Sequence, residues 1–194
     1  MMMKMNGCRR AMCTVSCTVM LAAFMVAFHT APVYAAQIGV QDDAAMTYTI
    51  TVGEGETVAL SAEDADALNS LAEGYTFIKD GPGTLLVSNQ IAGFARPIVI
   101  TNGIYEATSS DALGVGGDGA ETYVRTGATL SICRDTSLGT NVKFKYHEKI
   151  SLAGSGLGGI GALRNSRNED ATGLLDNNGY LVLDDDATIK GYSI

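Results

Sequence analysis

No tryptophan occurs in this chain, and cysteine, proline and histidine are scarce: four, three and two in 194 residues. Three of the cysteines, Cys8, Cys13 and Cys17, and one histidine, His29, stand in the first 35 residues. That stretch opens on Lys4, Arg9 and Arg10, runs uncharged and apolar over residues 11–28, and closes on the small-residue sequence Val33-Tyr34-Ala35. Basic start, apolar middle and small-residue end are the order a secretory signal needs, so residues 1–35 are read as a signal peptide cut after Ala35 or Ala36. The apolar run is also about as long as the shortest spanning helices, but the cleavage site directly behind it favours removal over anchoring. No cysteine stands at the cut, which excludes lipid anchoring there.

The exported remainder then carries one cysteine, Cys133, and one histidine, His147. A lone cysteine excludes an internal disulfide, so the fold must be held by burial and hydrogen bonds alone. Strand alternation points Cys133 outward, and an inert thiol is the ordinary reading of such a residue. Positive charge is short as well. Of 13 basic residues, three leave with the signal, and the ten that remain face 21 acidic ones, a net charge of −11. Nucleic acid is excluded as a partner, because neutralising phosphates needs a basic face.

What the chain has in abundance is glycine followed by short alternating runs: GTLLVS at Gly83, GIYEA at Gly103, GATLSI at Gly127 and GYLVL at Gly179. Between them stand RPIVI from Arg96, VKFKY from Val142 and KISLA from Lys149. Runs of this length, rich in β-branched and aromatic residues and divided by Gly, Asn, Asp and Ser, are strands separated by tight turns. Two of them also repeat. YEATSSDALG at 105–114 overlays LSICRDTSLG at 130–139 without a gap, placing Tyr105 on Leu130, Ala107 on Ile132, Leu113 on Leu138 and Gly114 on Gly139.

A fixed period of about 25 residues fits one turn of a parallel β-helix, in which each coil lies on the next. A sandwich or barrel of antiparallel strands explains the strands but not the period. Alternation turns Leu130 inward, and Thr129 and Ser131 outward. One helix is expected: Ser61 as N-cap with Asp64 at the capping-box spacing, and Ala65, Leu68, Leu71 and Ala72 on one face. Its expected role is to cap the first coil.

These residues resemble the autotransporter-associated β-strand repeat proteins. FIKDGPGTLLVSN from Phe77 is similar to that family's lysine, glycine and GTL-L-S opening, and IVITNGIYEATSSDALG from Ile98 is similar to its G-L-A-ALG ending. The stretches ISLAGSGLGGIGALRN and GYLVLDDDATI resemble its further units, so the likeness spans about residues 75–190. The resemblance implies an all-β, right-handed parallel β-helix at a bacterial surface, divided into a signal peptide (1–35), N-terminal strands with a capping helix (36–80) and a repeat segment (81–194). Members of the family end in a membrane β-barrel, for which this sequence supplies no candidate. An incomplete repeat segment of a longer protein and a short secreted relative are both open.

Several stretches invite a chemical reading. Gly154, Gly156 and Gly159 match a dinucleotide-binding turn, as do Gly156, Gly158 and Gly161. Such a turn must end a buried strand and open a helix whose N–H groups hold the pyrophosphate. After Gly161 comes ALRNSRNEDATG, without an apolar stripe, and KISLA before it is polar for a central strand. A wide turn between strands, with glycines at positive φ, is the better reading. Residues 114–119, GVGGDG, are half of a calcium nonapeptide, and Asp184, Asp185 and Asp186 offer oxygen ligands, but a single copy lacks the shared-ion geometry of tandem turns. His147 lies on a charged stretch with no nucleophile-elbow sequence anywhere. Lys143, Lys145 and Lys149 have no carboxylate cluster in evident register.

The sequence therefore leads to a structural or adhesive exported protein, non-catalytic, with no cofactor, metal or catalytic residue. Its expected partners are extracellular matrix, a glycan or another copy of the chain. A secreted β-helix enzyme acting on polysaccharide is the alternative. Export is directly testable: mass spectrometry of protein from the envelope or medium is expected to find an N-terminus at Ala36 or Gln37, and an intact Met1 in that fraction disproves cleavage.

Overall fold

Strands of two to five residues cannot bury a core singly and must pair sideways. The computed structural model describes residues 38–132, 148–165 and 179–191, together with the main chain of 144–146 and 173–175. The signal peptide, Cys133, Lys143 and His147, and the proposed matches at Leu138 and Gly139, lie outside the described residues. Among those described, no helix is long and apolar enough to cross a membrane.

The protein is predominantly β with parallel sheets. A first strand, β1 (Gly39–Asp42), pairs antiparallel with β2 (Thr47–Thr51). From β2 onward the chain moves back and forth between two open sheets. One continues from β2 through β4 (Thr76–Asp80), β6 (Ile98–Ile100), β8 (Thr122–Val124), β11 (Lys149–Leu152) and β14 (Tyr180–Leu183). The other runs from β3 (Thr57–Ala59) through β5 (Thr84–Val87), β7 (Gly103–Ala107), β9 (Ala128–Ile132), β12 (Leu163–Asn165) and β15 (Ile189–Lys190). Every pairing in both, after the opening hairpin, is parallel. This rules out the antiparallel sandwich. Two further strands, β10 (Phe144–Tyr146) and β13 (Gly173–Leu175), pair in parallel with each other and occupy the longer connections.

The 25-residue repeat appears as register: Tyr105 stands opposite Leu130, and Ala107 opposite Ile132. Inward side chains then stack in rows across the strands. In the first sheet Tyr48, Phe77, Ile98, Thr122 and Ile150 follow one another, all fully buried. The next row is Ile50, Lys79, Ile100, Val124 and Leu152. In the second sheet Leu85, Tyr105, Leu130 and Leu163 do the same. Phe77 meets Phe94 and Tyr105 edge-on, at centroid separations of 6.2 and 6.3 Å, so aromatic rings join the two sheets across the core.

Lys79 is the exception in these rows. Fully buried, its ammonium donates to the carbonyls of Gly81 (2.5 Å), Gly83 (2.7 Å) and Asn102 (2.9 Å). Those carbonyls belong to two successive corners where the chain passes between sheets. Gly103 completes the second corner at φ +71°, where a Cβ would lie 2.3 Å from the Gly81 oxygen.

The expected helix is present as α1 (Ala62–Ser70), capped by the Ser61 hydroxyl on the Asp64 N–H. It connects β3 to β4 and packs on the 3₁₀ turn Asn89–Ile91, where Asn69 donates to the Gln90 carbonyl. Asp64 does more than cap. Buried, its carboxylate accepts from Ser61, the Tyr48 hydroxyl, and the main-chain N–H groups of Ile38 and Gly39, which fastens β1 to the helix.

Two expectations need correction. Thr129 and Ser131 are both fully buried, because the segment after β11 folds over the outer side of β9. Thr129 donates to the Gly161 carbonyl and accepts from the Leu157 N–H, while Arg164 donates to Ser131. Strand β11, judged too polar for the interior of a sheet, lies between β8 and β14, with Ile150 and Leu152 fully buried.

Urea denaturation should find Leu130→Asp unfolded, since a carboxylate there has no partner. Gly103→Ala is expected to lose ~1–3 kcal/mol through left-handed strain and the close carbonyl. Thr129→Val should lose ~1–3 kcal/mol by orphaning the Leu157 N–H and the Gly161 carbonyl. Wild-type stability for Gly103→Ala or Thr129→Val contradicts the geometry described.

Candidate functional site

A concavity lies on the outer side of the first sheet. It is an open cleft of about 500 Å³ lined by Val115, Gly116, Gly117, Asp118, Glu121, Lys149 and Tyr180. Its floor follows from the register. Lys149 stands opposite Tyr180, and the pairing of Ile150 with Thr122 puts Glu121 beside Lys149. Three chemically different side chains thus occupy adjacent strands, each at or just before the strand's first residue. The Lys149 ammonium lies 4.0 Å from Glu121 Oε1, and both side chains are partly exposed. Tyr180 is 54% exposed.

The loop between β7 and β8 forms the wall. Gly114 sits at φ +85° with its Cα so near Phe94 that a Cβ would lie 2.1 Å from the Phe94 oxygen. The adjacent Val115 N–H donates to that same oxygen at 2.9 Å. This fixes the start of the loop and leaves Gly116, Gly117 and Asp118 open to the cleft.

Beside the cleft, Thr122 and Glu148 form a buried polar pair. The Thr122 hydroxyl donates to Glu148 Oε1, and Oε2 is buried with no hydrogen-bond partner among the described residues. Burial pushes the Glu148 carboxyl up to about 8, the Thr122 hydrogen bond opposes this, and the charge of Glu121 adds to it. Glu148 therefore keeps its proton well above the pH at which an ordinary glutamate loses it. Its main-chain carbonyl accepts from the Tyr180 N–H, tying it to β14.

The residues singled out in the sequence are distributed as follows. The glycine-rich stretch turns from β11 into β12 with Gly154, Gly156, Gly158, Gly159 and Gly161 all at positive φ, and what it opens is a 3₁₀ turn, Leu157–Gly159, then a strand. It has no helix N-terminus for a pyrophosphate. Of residues 114–119, Val115 to Asp118 line the cleft, whereas Asp184, Asp185 and Asp186 are exposed beyond β14. Among the described residues, no group of three or more His, Cys, Asp or Glu side chains converges as a metal site. Lys145 is described only as part of the β10 main chain. Lys149 stands beside a single carboxylate, Glu121, on the neighbouring strand. The signal was present: Glu121-Thr-Tyr-Val, Lys149-Ile-Ser-Leu and Tyr180-Leu-Val-Leu each begin at a strand start, but aligning them requires knowing the unequal connections between.

No family model, curated protein or solved structure matches this chain.

The buried acid predicts a pH dependence. The folded state keeps the Glu148 proton to about pH 8, whereas the unfolded chain releases it near the ordinary 4.5. Since the native state then binds more protons, this group's contribution to stability falls as pH rises from 4.5 to about 8. Thermal melts are expected to show a Tm several degrees lower at the alkaline end of that window, and Glu148→Gln should flatten the dependence. An unchanged slope in Glu148→Gln rules out this assignment.

Proposed function

We propose that this chain is a segment of an exported surface protein of autotransporter passenger type, folded as a right-handed parallel β-helix and acting as a structural and adhesive element without catalysis. The observation that carries the reading is the passage of successive strands between two parallel sheets in the register of the sequence repeat. Such a scaffold extends by addition of circuits while its connecting loops decorate the outside. The signal peptide read in the sequence supports export to the surface of a Gram-negative-type envelope, where an outer face is available to matrix, to a glycan or to a second copy. The glycine-rich stretch fits this reading as a corner that covers β9.

A second reading is favoured by one observation. Asp118 and Glu121 share a cleft with Lys149 and Tyr180, and paired carboxylates in a cleft are what a polysaccharide-cleaving enzyme requires. Beads coated with the purified chain separate the two. Adhesion to matrix- or glycan-coated surfaces, with no release of reducing ends from polysaccharide, is the expected result. Failure to adhere disproves the adhesive reading, and release of reducing ends that is lost in Glu121→Gln establishes the enzyme instead.

A further inference from the structure

We propose that the cleft between the 115–118 loop and Tyr180 is a binding site for a neutral or cationic saccharide. The inference rests on the reading of the outer face as adhesive and names what that face holds.

The cleft is amphipathic in a particular way. Six large hydrophobic side chains are exposed among the described residues, and two of them, Val115 (49%) and Tyr180 (54%), line this one concavity. The remaining lining is two carboxylates, one ammonium and glycine backbone. A pyranose has a C–H face and a rim of hydroxyls. An exposed tyrosine ring accepts the face, carboxylates accept hydrogen bonds from the rim, and an ammonium donates to its oxygens. A purely apolar ligand would take Asp118, Glu121 and Lys149 out of water while supplying no hydrogen bonds to them.

Charge narrows the class. Two acidic side chains against one basic leave the lining net negative, and the whole chain carries −8. A uronate or sulfated chain is repelled at both scales, while an amino sugar is attracted. Size agrees as well. The volume of about 500 Å³ falls within the roughly 300–1,000 Å³ usual for small-ligand sites. Glu121, Lys149 and Tyr180 lie on three adjacent strands spaced about 4.8 Å apart, so a saccharide crossing the strands meets all three. Lys149 is held toward Glu121 at 4.0 Å, which presents the pair as one donor–acceptor unit beside the ring.

The test is calorimetric titration of the purified chain with three tetrasaccharides: neutral N-acetylglucosamine, cationic glucosamine and anionic galacturonate. Binding of the neutral or cationic tetramer is expected, with the anionic one at least tenfold weaker. Tyr180→Ala should weaken binding at least tenfold, and Glu121→Gln should reduce affinity for the cationic tetramer more than for the neutral one. Val40→Ala, at an exposed residue of β1 outside the cleft, should change nothing. Glu121→Gln keeps the test decisive if Tyr180→Ala does not fold. No binding of either favoured tetramer, equal affinity for galacturonate, or indifference to both cleft variants overturns the proposal. So does displacement of the saccharide role by an oligolysine peptide that alone occupies the cleft. Coated beads that adhere while all three tetramers fail to bind sink this inference and leave the adhesive reading standing. Tetramer binding by a chain whose beads do not adhere upholds the site and removes the adhesive reading.

Discussion

Everything in this protein depends on turning the main chain sharply at the corners between two parallel sheets. Parallel pairing sets neighbouring strands about 4.8 Å apart within each sheet, which brings the β4–β5 corner close to the β6–β7 corner. Backbone then meets backbone: a Cβ at Gly83 would lie 2.1 Å from the Gly53 oxygen, and one at Gly103 would lie 2.3 Å from that of Gly81. Corners this tight also aim carbonyls at the interior, where water cannot reach them. Lys79 meets that need. It occupies an inward position between Ile50 and Ile100, and its ammonium donates to three carbonyls at the β4–β5 and β6–β7 corners. Burial pulls its pKa down to about 8, while three acceptors and the nearby Asp80 favour keeping the proton. A residue that reads in sequence as a solvated lysine is thus a donor of fixed geometry inside the core.

The same logic explains how much of the fold could be read in advance. Glycine followed by alternation marked β5, β7, β9 and β14 because the corner and the inward face are both local demands. The repeat gave the pairing of β7 with β9 because register follows when inward residues recur at one period. What alternation cannot report is whether the other face is covered. Thr129 and Ser131 looked solvent-facing, yet both are buried, and polar side chains suit that place because Thr129 is bonded to the 155–161 segment and Ser131 to Arg164 of the neighbouring strand. Burial on both faces is also why β11, with Ser151 between Ile150 and Leu152, belongs in the middle of its sheet.

The cleft was illegible for a different reason. The residues that meet across the sheet are separated by connections of unequal length, from 20 residues between Thr84 and Ile104 to 33 between Leu130 and Leu163. Glu121, Lys149 and Tyr180 come together only after those lengths are absorbed in loops and in the extra pair β10 and β13. Glu148 belongs to the same class. Nothing in His-Glu-Lys-Ile distinguishes a buried acid from a surface one, and only the register places it against Thr122.

Core and surface are therefore governed separately. Inward rows tolerate a polar residue only where another group completes it, as the corner carbonyls do for Lys79 and as Glu148 does for Thr122. Where the outer face is left uncovered it has no such requirement, because water satisfies whatever the loops leave open. Loops of different length can then join the strands of the two parallel sheets without disturbing their rows, and each length brings different strand-start residues beside one another. Chemical individuality in this chain arises where a long connection ends next to a short one, and the row of Glu121, Lys149 and Tyr180 beneath the 115–118 loop is such a place.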